Sequence, residues 1–116
     1  MNETTQARQQ VVCQRFQAAY CLCAPELTVG IARNVRCGIR PLNGLRLQQD
    51  ETSSGWYIWA GEQLSLAPDF FVTLAVSELA RWAPLVMPYL GLPPGWRFVV
   101  TEHHEDAWED TELNDR

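Results

Sequence analysis

The chain has 116 residues, 47% of them apolar, 20% charged and 10% aromatic, with a net charge of −5 at neutral pH. A folded chain of this mass exposes roughly 6,400 Å², about a third of its extended surface, which is enough to bury one core without metal or disulfide staples. Such a composition excludes a disordered chain, and no run approaches the roughly 18 apolar residues of a membrane span.

The charge is unevenly placed. Residues 102–115 hold seven of the fourteen acids (Glu102, Glu105, Asp106, Glu109, Asp110, Glu112 and Asp115) and no Arg, whereas residues 1–101 balance seven acids with eight Arg. An acidic chain is poorly suited to phosphate backbones and better suited to a basic protein surface. There is no Lys, so chemistry needing a Schiff base or a phosphate-loop lysine is excluded. Cys13, Cys21, Cys23 and Cys37 form no C-x-x-C pair, and Met1–Gln10 is polar with no apolar signal region after it. These features predict a soluble cytoplasmic protein with free thiols.

In chain order, residues 5–24 predict an amphipathic helix. Val12, Phe16, Ala19, Tyr20 and Cys23 share a face, Thr4 or Thr5 caps the start, and Pro25 stops the end. Residues 27–33 alternate as a strand, with Leu27, Val29 and Ile31 on one face. Asn43-Gly44 is a hairpin signal, and Pro41 confines any strand there to an edge or a loop. Residues 50–54 predict a polar turn, and residues 55–60 a strand buried on both faces. Residues 69–92 predict a mostly helical stretch. Leu74, Val76, Leu79, Trp82 and Val86 make its apolar side, Pro84 breaks it near Ala83, and Gly91 and Pro93-Pro94 end it. Residues 95–101 predict another strand, and the tail forms a strand or short helix around Trp108. The elements sum to an α+β domain: a mainly antiparallel sheet with an N-terminal helix and a central broken helix packed on one face. One domain spans 1–116, with 1–4 and 112–116 frayed.

The sequence points away from catalysis and metal binding. Glu102-His103-His104-Glu105-Asp106 places His beside carboxylates, but no second cluster completes a tetrahedral ligand set. No nucleophile elbow, phosphate loop or pair of fixed carboxylates is present. The expectation is a non-enzyme with no cofactor. Four Arg at 33, 36, 40 and 46 cluster without alternating aromatics, which argues against direct nucleic-acid contact. Trp56, Trp59, Trp82 and Trp96 are expected to be structural. Trp108, set among Glu105, Asp106, Glu109 and Asp110, either pins the tail to the core or contacts a partner.

Three stretches carry a family resemblance. They are Val29-Gly30-Ile31-Ala32-Arg33-Asn34 continuing to Pro41-Leu42-Asn43-Gly44-Leu45-Arg46; Ser54-Gly55-Trp56-Tyr57-Ile58-Trp59-Ala60-Gly61-Glu62; and Pro88-Tyr89-Leu90-Gly91-Leu92-Pro93-Pro94-Gly95-Trp96-Arg97-Phe98. With Glu105-Asp106-Ala107-Trp108, and over residues 27–113, the chain resembles the bacterial polymorphic-toxin immunity proteins of the thirty-third family and their close relatives. The resemblance implies an α+β antidote that binds a cognate toxin or secretion-system effector, such as a nuclease or a type VI effector, and occludes its active surface. The candidate toxin contacts are Glu102, Glu105, Asp106, Trp108, Glu109 and Asp110, with Arg33, Arg36, Arg40 and Arg46 as a second set. The alternative reading is a non-catalytic adaptor or regulatory subunit for another cellular protein.

Overall fold

A computed structural model describes residues 3–62, 64, 67 and 69–115. Its accessible surface is 6645 Å², close to the value expected from mass alone. The polar N-terminal segment forms α1 (Glu3–Arg15), followed by β1 (Thr28–Ala32), β2 (Leu42–Arg46), β3 (Ser53–Ala60) and β4 (Phe71–Ala75). A short helix α2 (Leu79–Trp82), flanked by 3-10 turns Val76–Glu78 and Pro84–Tyr89, leads into β5 (Trp96–Val100) and β6 (Glu105–Glu109). Further 3-10 turns cover Arg33–Cys37 and Thr111–Asp115.

The six strands form one sheet in the order β4-β1-β3-β2-β5-β6. Only β1 and β3 pair in parallel, and every other neighbouring pair is antiparallel. Side-chain alternation gives the sheet two faces. Ile31, Leu42, Trp56, Ile58, Phe98 and Val100 point to one face and are buried. The helical layer covers that face: Trp56 Nε1 donates to the Leu90 carbonyl at 3.0 Å, and the Tyr89 and Phe98 rings stack 5.3 Å apart. The expected architecture, an antiparallel-dominated sheet under an N-terminal helix and a broken central helix, is the one observed.

Four local expectations are overturned. First, the N-terminal helix ends at Arg15, not at residue 24. Gln17 adopts φ 60, the Ala18 amide donates to the Cys13 carbonyl at 2.8 Å, and the Gln17 amide donates to Gln14 at 3.2 Å. This is a Schellman stop built without the usual glycine. The released segment runs beneath the helical layer, where the Cys21 amide donates to the Gly91 carbonyl at 2.8 Å.

Second, Asn43-Gly44 is not a hairpin turn but the middle of β2. Third, β2 is interior, between β3 and β5, despite Pro41 at its threshold. The glycine serves packing, because a Cβ on Gly44 would lie 2.2 Å from Phe98 Cε2. Asn43 is buried with its amide donating to the Gly61 carbonyl at 2.6 Å. The polar side chain is thus satisfied inside the sheet.

Fourth, Phe71–Ala75, expected within a helix, is the edge strand β4, paired with β1 along its whole length. The helix begins only at Leu79 and breaks at Ala83 before Pro84, as expected from the proline.

Candidate functional site

The acidic stretch is organised by the β5–β6 hairpin. Its turn is closed by the Thr101 amide donating to the His104 carbonyl at 2.8 Å, and by the His103 amide donating to Thr101 Oγ1 at 3.1 Å. Antiparallel register sets Val100 opposite Glu105, Val99 opposite Asp106, Arg97 opposite Trp108 and Trp96 opposite Glu109. Alternation then sends Glu105, Ala107 and Glu109 toward the helix-covered face, and Asp106 and Trp108 toward the open face. Ala107, buried, is where β6 meets the core.

The acids divide into two sets. Glu102 accepts from Arg40 through both carboxylate oxygens, at 3.1 Å from Nε and 2.6 Å from Nη2. This arginine holds the Glu102 carboxyl below its ordinary value. Glu105 pairs with Arg15 at 3.2 Å, and Asp110 with Arg97 at 3.3 Å. The Tyr89 phenol is pushed above its ordinary value, by burial first and then by the Glu105 carboxylate. Asp106, Glu109 and Glu112 are exposed and carry no ion pair among the described residues.

Trp108 is 38% exposed. Its inner side meets Arg97, whose guanidinium carbon lies 5.9 Å from the centroids of both Trp108 and the buried Trp59. Of the two roles weighed for Trp108, the geometry bears on the first: the ring pins β6 to the sheet through Arg97. A cation–π contact fixes the ring to the sheet, and the opposite side of the ring faces solvent. Of the carboxylates without an ion pair among the described residues, Asp106 shares the open face with Trp108, whereas Glu109 lies on the other side of β6.

The second arginine set is dispersed. Arg33 and Arg36 are exposed, with Arg36 stacked 4.9 Å over the Trp82 ring. Arg36 and Trp82, together with Arg40, Leu42, Leu85 and Glu102, line a cleft of about 540 Å³ that Arg33 does not reach. Arg46, expected on the surface with the others, is fully buried. It donates to the carbonyls of Cys21, Ser54, Leu90 and Leu92 at 2.8–3.2 Å and to Gln49 Oε1 at 2.9 Å. That arginine is a structural hub with no surface to offer. Of the expected structural tryptophans, Trp56 and Trp59 are buried, whereas Trp82 and Trp96 are half-buried.

Sequence reasoning did not separate free acids from paired ones. The 62-residue separation of Arg40 and Glu102 leaves no local cue for their pairing. His103 and His104 are exposed on the turn, and among the described residues no group of three His, Cys, Asp or Glu is placed to hold a metal ion. No helix of the described residues is long and apolar enough to cross a membrane.

No curated protein and no solved structure matches the chain. A family model described as an Imm33-like domain matches residues 8–110. This span takes in the whole sheet and the β5–β6 hairpin with Trp108, and the chain accordingly belongs to the Imm33-like domain family.

Proposed function

We propose that the protein is an antidote that binds a cognate bacterial toxin or secretion-system effector and blocks its active surface. The contact element is Trp108 with Asp106, Glu109 and Glu112. Membership of an immunity-type family supports the partner class. The observation that supports this placement is the division of the acids, since three are paired with Arg40, Arg15 and Arg97 while Asp106, beside Trp108 on the open face, and Glu109 and Glu112 carry no ion pair among the described residues. Free carboxylates beside an aromatic anchor complement a basic face. Toxins that attack nucleic acids present such a face to their substrate, and a row of carboxylates can occupy it in place of phosphates. Inhibition then needs no chemistry by the antidote, only occupancy of the cleft.

On this reading a toxin gene lies beside this one, and the test is growth of cells expressing that neighbouring gene. Co-expression of the parent chain restores growth and the two proteins co-purify. Trp108→Ala, which leaves the buried core untouched, abolishes both. Rescue by Trp108→Ala equal to the parent's overturns the placement, and a neighbouring toxin that never co-purifies overturns the reading itself.

A further inference from the structure

The two edges of the sheet are built differently. The β6 edge carries Glu105, Asp106 and Glu109 within five residues. Charged side chains on an edge strand discourage pairing with another chain. The β4 edge, Phe71-Val72-Thr73-Leu74-Ala75, has no charge, proline or glycine, and neither have its neighbours Phe70 and Val76. Among the described residues β4 has one hydrogen-bonded neighbour, β1. Thr73 at its centre is exposed. The strand therefore presents a row of amides and carbonyls with no charge to guard it.

We propose that β4 is a self-association edge, at which two copies of this chain join by antiparallel β4–β4 pairing about a two-fold axis at Thr73. Three observations select a second copy as the occupant.

The strand is self-complementary in that register. Thr73 meets Thr73, Val72 meets Leu74, and the large Phe71 meets the small Ala75 on the open face. Threonine and branched aliphatic cross-strand pairs are among the favourable ones.

The charge layout permits it. β6 is five strand spacings from β4, roughly 24 Å at about 4.8 Å each. Pairing through β4 holds the two acidic edges some 50 Å apart, far beyond a Debye length of about 8 Å. Copies carrying −5 each thus associate with little repulsion, whereas pairing through β6 would set carboxylate against carboxylate.

The neighbouring side chains reinforce the strand. Phe71 packs edge-on against both Tyr57 and Phe70, at 5.3 and 4.9 Å between centroids. The edge is thereby held rigid by an aromatic cluster at one end of the strand. Such a dimer displays two Trp108 elements at opposite ends, so it is compatible with the toxin reading but does not rest on it.

Sedimentation equilibrium of the full chain over a concentration series tests the proposal. The parent and Thr73→Val form dimers, and Thr73→Lys, which places a charge on each side of the axis, weakens the dimer by about tenfold or more. Should Thr73→Lys fail to fold, Thr73→Cys in a Cys37→Ser background supplies the second readout. Mild oxidation links two copies through position 73, while a cysteine at Glu109 in the same background does not link. A parent that stays monomeric at every concentration overturns the proposal. So does a dimer indifferent to Thr73→Lys, or cross-linking that is equal at positions 73 and 109.

Discussion

The guanidinium of Arg46 donates to the carbonyl of Leu92 at 2.8 Å, tying the middle of the sheet to the end of the helical layer. The same head group reaches the carbonyls of Cys21, Leu90 and Ser54, and among the described residues it has no carboxylate partner. Three segments that form no regular ladder with one another are thus held by one buried cation. Its charge is balanced by carbonyl dipoles, with the Trp56 ring 5.6 Å away.

Arg46→Met therefore leaves several buried carbonyls unpaired while roughly preserving volume. It should destabilise the fold by about 3–5 kcal/mol, the range for breaking a buried charged network from one side. Urea unfolding of the parent and the variant measures this. A loss under 1 kcal/mol would mean that water replaces the guanidinium at little cost.

Gly44 and Phe98 make a second, purely steric relationship. Phe98 cannot retreat from an added Cβ, because Trp56 and Tyr89 flank its ring at 5.3 Å each. Gly44→Ala should lower stability by about 1–3 kcal/mol through overpacking. Pairing it with Phe98→Leu should recover part of that loss, which a double-mutant cycle on thermal unfolding would detect.

The tryptophans differ in weight. Trp56 is wholly buried and donates to Leu90, whereas Trp96 is half-buried beside Glu109 at the hairpin's open end. Trp56→Ala should cost about 3–5 kcal/mol, enough to unfold a small domain. Trp96→Ala should cost clearly less. Equal losses for the two in urea unfolding would contradict the ranking.

Stability should fall on the alkaline side. Burial pushes the Cys23 thiol up from 9.0 to about 11. In the native chain the neutral thiol is favoured, so its contribution is intact below pH 9 and is lost as pH rises from 9 toward 11. Two pKa units correspond to a decline of about 2–3 kcal/mol across that window. Cys13 and Tyr89, also raised by burial, act in the same direction. Cys23→Ala should flatten the decline in unfolding free energy measured between neutral pH and pH 11.

Strands β3 and β5 were legible because their aromatic and branched runs admit few other conformations. The errors share a cause in tertiary context. Val76, Leu79, Trp82 and Val86 have helical spacing, which extends the expected helix back over residues 69–75, yet β1 offers five ladder partners to Phe71–Ala75, and pairing outweighs local periodicity. Asn-Gly marks a hairpin only where no ring needs the glycine's space, and Phe98 needs it here. The early end of α1 had no local cue, since Gln17 takes the left-handed position that glycine normally marks. At the candidate site, sequence located the acidic cluster and Trp108. It did not reveal which carboxylates are neutralised, because Arg15, Arg40 and Arg97 reach them through the fold.

The most direct test of the account is the rate at which the chain associates with its proposed toxin, the product expected from the neighbouring gene, measured against salt concentration. The parent is compared with the Asp106→Asn/Glu109→Gln/Glu112→Gln variant, whose substitutions touch no ion pair among the described residues. Steering by free carboxylates predicts that the variant associates more slowly at low salt and with a flatter salt dependence, and that the two rates converge as salt shortens the Debye length. Equal rates and equal slopes for the two proteins would contradict it.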